Sequence, residues 1–228
     1  MTINRLLPWS HTKLEKFIQC PRAFYHAYVL KEKESETPEL KKGKEVHKHF
    51  EDRVIGNKPL PPALMHHEPI VHALKQKQET GYTLQAEVKY GIDKDYTPTG
   101  FFDDHVWGRG AADVVLVAPD SRTGIVLDYK TGKRRDDDTQ LSRLALLIFS
   151  WIPGLEKLTG ANIWLSENKI GKSYEFTRLH LPEIKGKIQH TIDSAQTAQE
   201  KDNFPEKPSH LCGWCSVTSC RFNIKKKV

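Results

Sequence analysis

A layered α/β or α+β fold follows from three features of this sequence. Helix-period segments stand at both ends, alternating and apolar strand-like runs fill the middle, and a further helix divides those runs. Near the start, Thr12 and Glu15 fit a capping box ahead of Leu14, Phe17 and Ile18. Pro21 interrupts that pattern, and Phe24, Tyr25 and Tyr28 resume it. The charged stretch from Lys31 to Glu39 reads as a loop. Val46, Phe50 and Val54, spaced by four, predict a helix over 40–55. Pro59, Pro61 and Pro62 break the chain before a helix at about 63–79. Leu84, Ala86, Val88 and Tyr90 then alternate with polar residues, the period of a half-buried strand. AADVVLVA at 111–118 is a second strand, and PDSRTG turns it into a third, IVLDYKT, as an antiparallel hairpin. Leu141, Leu144, Ala145 and Ile148 share one face of a helix at about 138–152. Strands at 161–165 and 173–179 flank a turn at 168–171, and a long helix at about 182–201 follows.

At 228 residues the chain suits one sizeable domain. It reads as a helical part over 1–80, a sheet-bearing core over 81–203 and a cysteine-rich segment over 204–228. The hydrophobic share of 38% and the mean hydropathy of −0.59 describe a modest apolar core. No apolar run approaches the roughly 20 residues that cross a bilayer. The N-terminus lacks an apolar signal core, so a cytoplasmic location is expected. The net charge of +6 favours a polyanionic partner weakly, since many soluble chains carry as much. Basic clusters at Lys41, Lys42 and Lys44, at Lys133 to Arg135, and at Lys225 to Lys227 localise that charge.

Polar residues inside an apolar strand need a reason, because an unpaired buried charge is costly. In IVLDYKT, Asp128 and Lys130 are two apart and leave one face, while Ile125, Leu127 and Tyr129 leave the other toward the core. Asp113 interrupts AADVVLVA in the same way. Two carboxylates on adjacent strands can hold a hard divalent cation, with the Tyr129 carbonyl as a further oxygen ligand. A lysine beside that ion can position a water and stabilise charge on a phosphate. On spacing alone, a surface salt bridge between Asp128 and Lys130 accounts for the pair equally well.

These residues resemble a known superfamily. Gly110-Ala-Ala-Asp113, followed by Asp128-Tyr129-Lys130-Thr131-Gly132, resembles the PD-(D/E)XK nucleases, and the DYKTG form is similar to the RecB and AddB nuclease domains. Gly43-Lys-Glu-Val-His47 resembles the upstream histidine motif of that branch, and Gln140 matches its glutamine. The resemblance implies a restriction-endonuclease-like core with a mixed central sheet flanked by helices, the nuclease core lying over 81–203. It implies that His47, Asp113 and Asp128 bind Mg²⁺ or Mn²⁺, that Lys130 assists hydrolysis, and that Gln140 orients the lysine or the phosphate. Glu87 resembles the family's additional acidic residue. Two positions depart from the pattern: Leu144 stands where a tyrosine is frequent, and Ala112 stands where a proline is. Among the eleven histidines, His47 follows Val46 on the apolar edge of its helix; His49, His66 and His67 read as structural.

Cys212, Cys215 and Cys220 fall within nine positions, and Cys20 lies 192 residues upstream of the first of them. Disulfides are disfavoured in a reducing cytosol. Four thiolates suit a structural zinc or an iron–sulfur cluster. One distant cysteine plus a C-terminal triplet resembles AddB and the CRISPR-associated adaptation nucleases. That resemblance implies a 4Fe–4S cluster joining the N- and C-terminal segments, with zinc second. The CxxC-x4-C triplet is one residue tighter than in those relatives. Trp214, Trp151 and Trp164 read as packing residues.

The resulting expectation is a phosphodiester hydrolase acting on DNA, an exonuclease at DNA ends in recombination, repair or phage DNA processing. Its partners would be DNA with a single-stranded end and, since no GxxxxGK[ST] loop occurs, a helicase or recombination protein supplying ATP hydrolysis. A structure-specific or CRISPR-adaptation-type endonuclease and a non-cleaving DNA-end-binding protein are the alternatives. An iron–sulfur redox sensor would leave the carboxylates unexplained.

Overall fold

A computed structural model describes residues 6–32 and 36–224; the Lys225 to Lys227 cluster lies outside the described residues. In chain order, α1 is His11–Gln19 and α2 is Pro21–Phe24, continued by a π-helical turn at Tyr25–Val29. Next come α3 (Pro38–Val54), a 3₁₀ turn at Pro62–His67 and α4 (Glu68–Glu79). The strands β1 (Thr83–Ile92), β2 (Pro98–Thr99), β3 (Gly108–Val117) and β4 (Thr123–Lys130) follow. Then come α5 (Thr139–Trp151), β5 (Lys157–Trp164), β6 (Lys169–Thr177) and α6 (Leu181–Glu200). Among the described residues, no helix is long and apolar enough to cross a membrane.

The chain falls into two compact units, residues 37–184 and residues 1–36 with 185–228. The first carries a six-stranded mixed sheet in the order β2-β1-β3-β4-β5-β6. Only the β4–β5 pair is parallel. This is the mixed α/β layering expected from the sequence. Val46, Phe50 and Val54 of α3 and Val71 and Leu74 of α4 close over Val114, Leu116, Leu127 and Tyr129. On the opposite face lies α5, whose Leu141, Leu144, Ala145 and Ile148 are buried as their spacing predicts. At Gly110 the backbone lies so close to α5 that a Cβ would come 2.9 Å from Leu147 Cδ1 and 3.3 Å from Leu144 Cδ2. Leu144, the departure from the family pattern, is therefore a packing residue over this glycine.

Residues of equal parity change face along β1 and β3. Leu84 and Ala86 pack toward the α3–α4 cluster, whereas Tyr90 rests against Trp151 of α5. Likewise Val114 and Leu116 join that cluster while Gly110 meets α5. The switch centres on Glu87, whose φ of 51° is left-handed, between the Ala86–Val114 and Val88–Ala112 pairs. A non-glycine residue held there costs about 1–3 kcal/mol. After the switch, Lys89, Arg109 and Ala111 lie on the α3 side of the sheet.

Several boundaries differ from expectation for local reasons. Helix α1 starts earlier because Ser10, in extended backbone, caps it by accepting the Lys13 N–H at 3.4 Å. The expected 63–79 helix opens as a 3₁₀ turn behind Pro61 and Pro62 before α4 begins at Glu68. Strand β6 begins at Lys169, so the turn occupies 165–168 and overlaps the expected one only at Asn168, and the two-residue β2 carried no readable period.

In the other unit, Pro205 O accepts the Arg22 N–H at 3.3 Å, and Lys207 Nζ donates to Ile18 O at 2.8 Å. Tyr25 and Phe204 stack with centroids 4.8 Å apart. The segment leading to the cysteine triplet therefore runs beside the α1–α2 corner that carries Cys20.

Candidate functional site

The β3–β4 ladder is paired from Val117–Gly124 to Val114–Leu127 and not beyond. Past that rung the Asp113 carboxylate takes a backbone donor itself, Oδ2 accepting the Tyr129 N–H at 2.6 Å. Its Oδ1 lies 3.1 Å from His47 Nδ1, so strand and α3 helix meet through one carboxylate. Val46 and Phe50 are buried in the core, which turns His47 toward the sheet and leaves His49 exposed. The left-handed turn at Glu87 brings its carboxylate to the same place. Among the described residues, His47, Glu87 and Asp113 form the group able to share one ion, with ligand atoms within 4.8 Å of one another.

Asp128 is engaged differently. Lys130 Nζ lies 2.6 Å from Asp128 Oδ2, and Gln140 Nε2 donates to Oδ1 at 2.5 Å. Gln140 Oε1 accepts from Lys130 Nζ, also at 2.5 Å, closing a three-membered network across β4 and α5. The short Asp128–Lys130 approach does not have hydrogen-bond geometry, leaving Asp128 Oδ2 buried without a hydrogen-bond donor. That oxygen, whose close partner among the described residues is the Lys130 charge alone, stands near an imidazole and two further carboxylates, a donor set that suits a divalent cation with mixed oxygen and nitrogen ligands.

The electrostatics carry the same mark. Burial, then the Asp113 charge, pushes the Asp128 carboxyl up to about 6 against the pull of Lys130. Burial and Asp113 also raise Glu87. At His47 burial acts downward, but the Asp113 hydrogen bond and the charges of Asp113, Asp128 and Glu87 outweigh it, and the net shift is upward. Like charges crowded into a half-buried space hold protons that a cation would displace.

These groups line one cleft of about 760 Å³, with Tyr129 and Gln140 at its wall. Thus the structure brings His47, Asp113, Asp128, Tyr129, Lys130, Gln140 and Glu87 into a single space. Lys44 of the first basic cluster lines it too, as do Lys48 and Glu51, which escaped the sequence reading. Glu51, one turn after His47 on α3, was findable from its i+4 spacing. His67 is structural: its ring contacts Phe50, and Nδ1 lies 2.8 Å from Asn168 Oδ1.

All four cysteines are half-buried free thiols. Cys212 Sγ accepts the Ser209 N–H at 3.4 Å, and Cys215 Sγ the Val217 N–H at 3.5 Å. Buried Asn223 ties the loop by donating to Cys215 O and Val217 O. The four sulfurs do not form a group close enough to share one ion. Trp214 corrects the expectation of packing, for it is 81% exposed, whereas Trp164 is buried and Trp151 Nε1 bonds Gly91 O.

The family model described as PD-(D/E)XK nuclease superfamily matches residues 8–220. No curated protein matches the sequence. Among solved structures, the protein called "Putative exonuclease" from Eubacterium rectale superposes with a TM-score of 0.55 at 13% identity, covering 92% of this chain and 87% of that one. The structure of SSO0001 gives 0.42 at 16% identity, covering 92% and 85%, too loose to bear on the fold. The first likeness supports the fold alone.

Proposed function

The chain belongs to the PD-(D/E)XK nuclease superfamily, and from that membership and the cleft geometry we propose that it is a metal-dependent deoxyribonuclease acting on DNA ends. The observation that carries the reading is the union, in one cleft, of the His47–Glu87–Asp113 group with the Asp128–Lys130–Gln140 network. His47, Asp113 and Asp128 would hold Mg²⁺ or Mn²⁺, with Glu87 beside them and the Tyr129 carbonyl as a further donor. Such an ion, when bound, acidifies a coordinated water and polarises a phosphoryl oxygen. Lys130, half-exposed in the cleft, meets the phosphate and stabilises charge developing on it. Gln140 fixes the Lys130 side chain by accepting from its ammonium. Lys44 at the cleft favours the approach of a polyanion, and Lys48 there is paired with Glu51 and Asp52.

End-directed cleavage in a RecB/AddB-like manner extends this reading, and the name of the Eubacterium rectale protein agrees with it. One cleft cuts one strand at a time, so a free single-stranded end threaded past Lys130 is the expected substrate, with a helicase or recombination protein as partner. The four cysteines are read as ligands of a 4Fe–4S cluster. The donor set suits it, with all thiols in one unit and two of them accepting backbone N–H groups.

The test offers linear single-stranded, linear double-stranded and covalently closed circular DNA with Mn²⁺, Mg²⁺ or EDTA. Cutting of linear DNA with either metal, none in EDTA and little on the closed circle is the expected pattern. Equal cutting of the circle would reassign the protein to the endonucleases. Iron content and visible absorption of anaerobically purified protein test the cluster, and zinc in place of iron would overturn it.

A further inference from the structure

We infer that Phe101, Phe102, Lys89 and Arg109 form a second nucleotide subsite, a stacking platform for a base of single-stranded DNA several nucleotides from the cleaved bond. The inference rests on the reading of the chain as a deoxyribonuclease. Phe102 is the most exposed aromatic ring near the sheet, at 76%. It is not loosely displayed: its ring meets Phe101 edge-on at 4.9 Å, and the Arg109 guanidinium lies 5.4 Å from its centroid. The same guanidinium sits 5.0 Å from the Phe101 centroid and donates to Phe101 O at 3.1 Å, so one arginine orients both rings. Lys89 Nζ lies 5.9 Å from the Phe101 centroid. A solvent-exposed phenyl held by the Arg109 guanidinium and by Phe101, with Lys89 on the far partner of the pair, offers what a nucleotide needs, a flat apolar face for the base and positive charge for its phosphate.

The position of this cluster connects it to the cleft. Because the chain switches face at Glu87, Lys89 and Arg109 share the α3 side of the sheet with exposed Ala111, which lines the cleft. Arg109 is four residues from Asp113 along β3, about 13 Å of strand. A stacked strand rising about 3.4 Å per nucleotide covers that span in about four nucleotides. Asp103, next in sequence to the rings, is exposed but engaged locally, its Oδ1 accepting the His105 N–H at 2.8 Å. Asp104 is exposed and opposes phosphate there, which makes the base, not the backbone, the main source of affinity.

Binding of an oligodeoxyadenylate of about twelve nucleotides, followed by fluorescence anisotropy in EDTA, tests the subsite. Phe102→Ala should weaken it about 5- to 150-fold, the worth of one stacked base. Phe102→Tyr should restore it, and a single abasic site about four nucleotides from the end should cost wild type, but not Phe102→Ala, the same factor. With metal, the loss should appear in KM while kcat holds. Phe102 is on the surface, so the variant should melt with wild type. Unchanged oligonucleotide affinity and KM in Phe102→Ala, in protein that still cuts, overturns this inference alone. Failure of wild type to bind or cut any DNA overturns it together with the deoxyribonuclease reading.

Discussion

Asp113 and Asp128 stand on adjoining strands and both are buried, yet their surroundings differ in kind. Asp113 spends its oxygens on a backbone N–H and on an imidazole, groups that do not leave. Asp128 leans on Lys130 and Gln140, side chains that the proposed reaction uses, and keeps one oxygen without a hydrogen bond. The first carboxylate is anchored and the second is poised. Burial is therefore not what separates the anchored acid from the poised one here; what matters is whether its partners are fixed by the fold.

If that contrast is right, the largest effect comes from the mobile half. Lys130→Ala should lower kcat about 10²- to 10³-fold, the usual cost of losing a group that stabilises transition-state charge. DNA affinity, spread over many phosphate contacts, should largely survive. Wild-type turnover in single-turnover assays of this variant would remove Lys130 from the chemistry. Gln140→Ala should reproduce a smaller part of the loss, since Lys130 would remain but lose its fixed position.

The anchored half should show itself in metal binding. His47→Ala removes one nitrogen donor and frees Asp113 Oδ1, so Mn²⁺ affinity should fall about 10- to 100-fold and Mg²⁺ affinity less, because imidazole suits Mn²⁺ better. Titration of each metal by calorimetry reads both. Equal affinities in variant and wild type would show that His47 only positions Asp113.

Much of this contrast was legible beforehand. Asp128 and Lys130 could be placed on one face because strand alternation fixes side-chain direction two residues apart, and β4 is regular. His47 was readable from its neighbour Val46, which the core fixes. Glu87 was harder: its direction depends on a left-handed residue inside a strand, and no residue preference announces that for a glutamate. The Phe101–Arg109 cluster was illegible for a similar reason. Its residues belong to a loop and a strand joined by register, and no period links them.

A third prediction separates the two acids by stability. The Asp128 carboxyl is raised to about 6 in the folded chain from 3.8, so folding favours its protonated form. That stabilisation is full below the unfolded value and lost as pH rises through about 6, leaving a costly carboxylate at neutral pH. Asp128→Asn in EDTA should thus melt higher at pH 7.5 by a few degrees, on the order of 1–3 kcal/mol, and hardly differently at pH 5. With Mn²⁺ the order should invert, because the ion rewards the carboxylate. Metal affinity of the wild type should climb over the same window as Asp128 gives up its proton, and the raised Glu87 and His47 add to the rise in the same direction. A pH-independent affinity between 5 and 7.5 would break this account.

The smallest effect asks whether the bend at Glu87 is held for function. A left-handed glutamate inside a strand carries strain that glycine would not, since glycine reaches positive φ freely. Glu87→Gln keeps the strain and removes the charge; Glu87→Gly removes both. In metal-free protein at pH 7.5 both should gain from the lost repulsion with Asp113, which helps to raise the glutamate's pKa. The glycine variant should gain about 0.5–1 kcal/mol more, offset in part by its greater unfolded-state freedom. Both should lose Mn²⁺ affinity alike, because neither retains the carboxylate. Chemical denaturation of the pair gives the difference directly. A glycine variant less stable than the glutamine one would mean that the Glu87 side chain's packing, and not its backbone, keeps the switch of faces in β1.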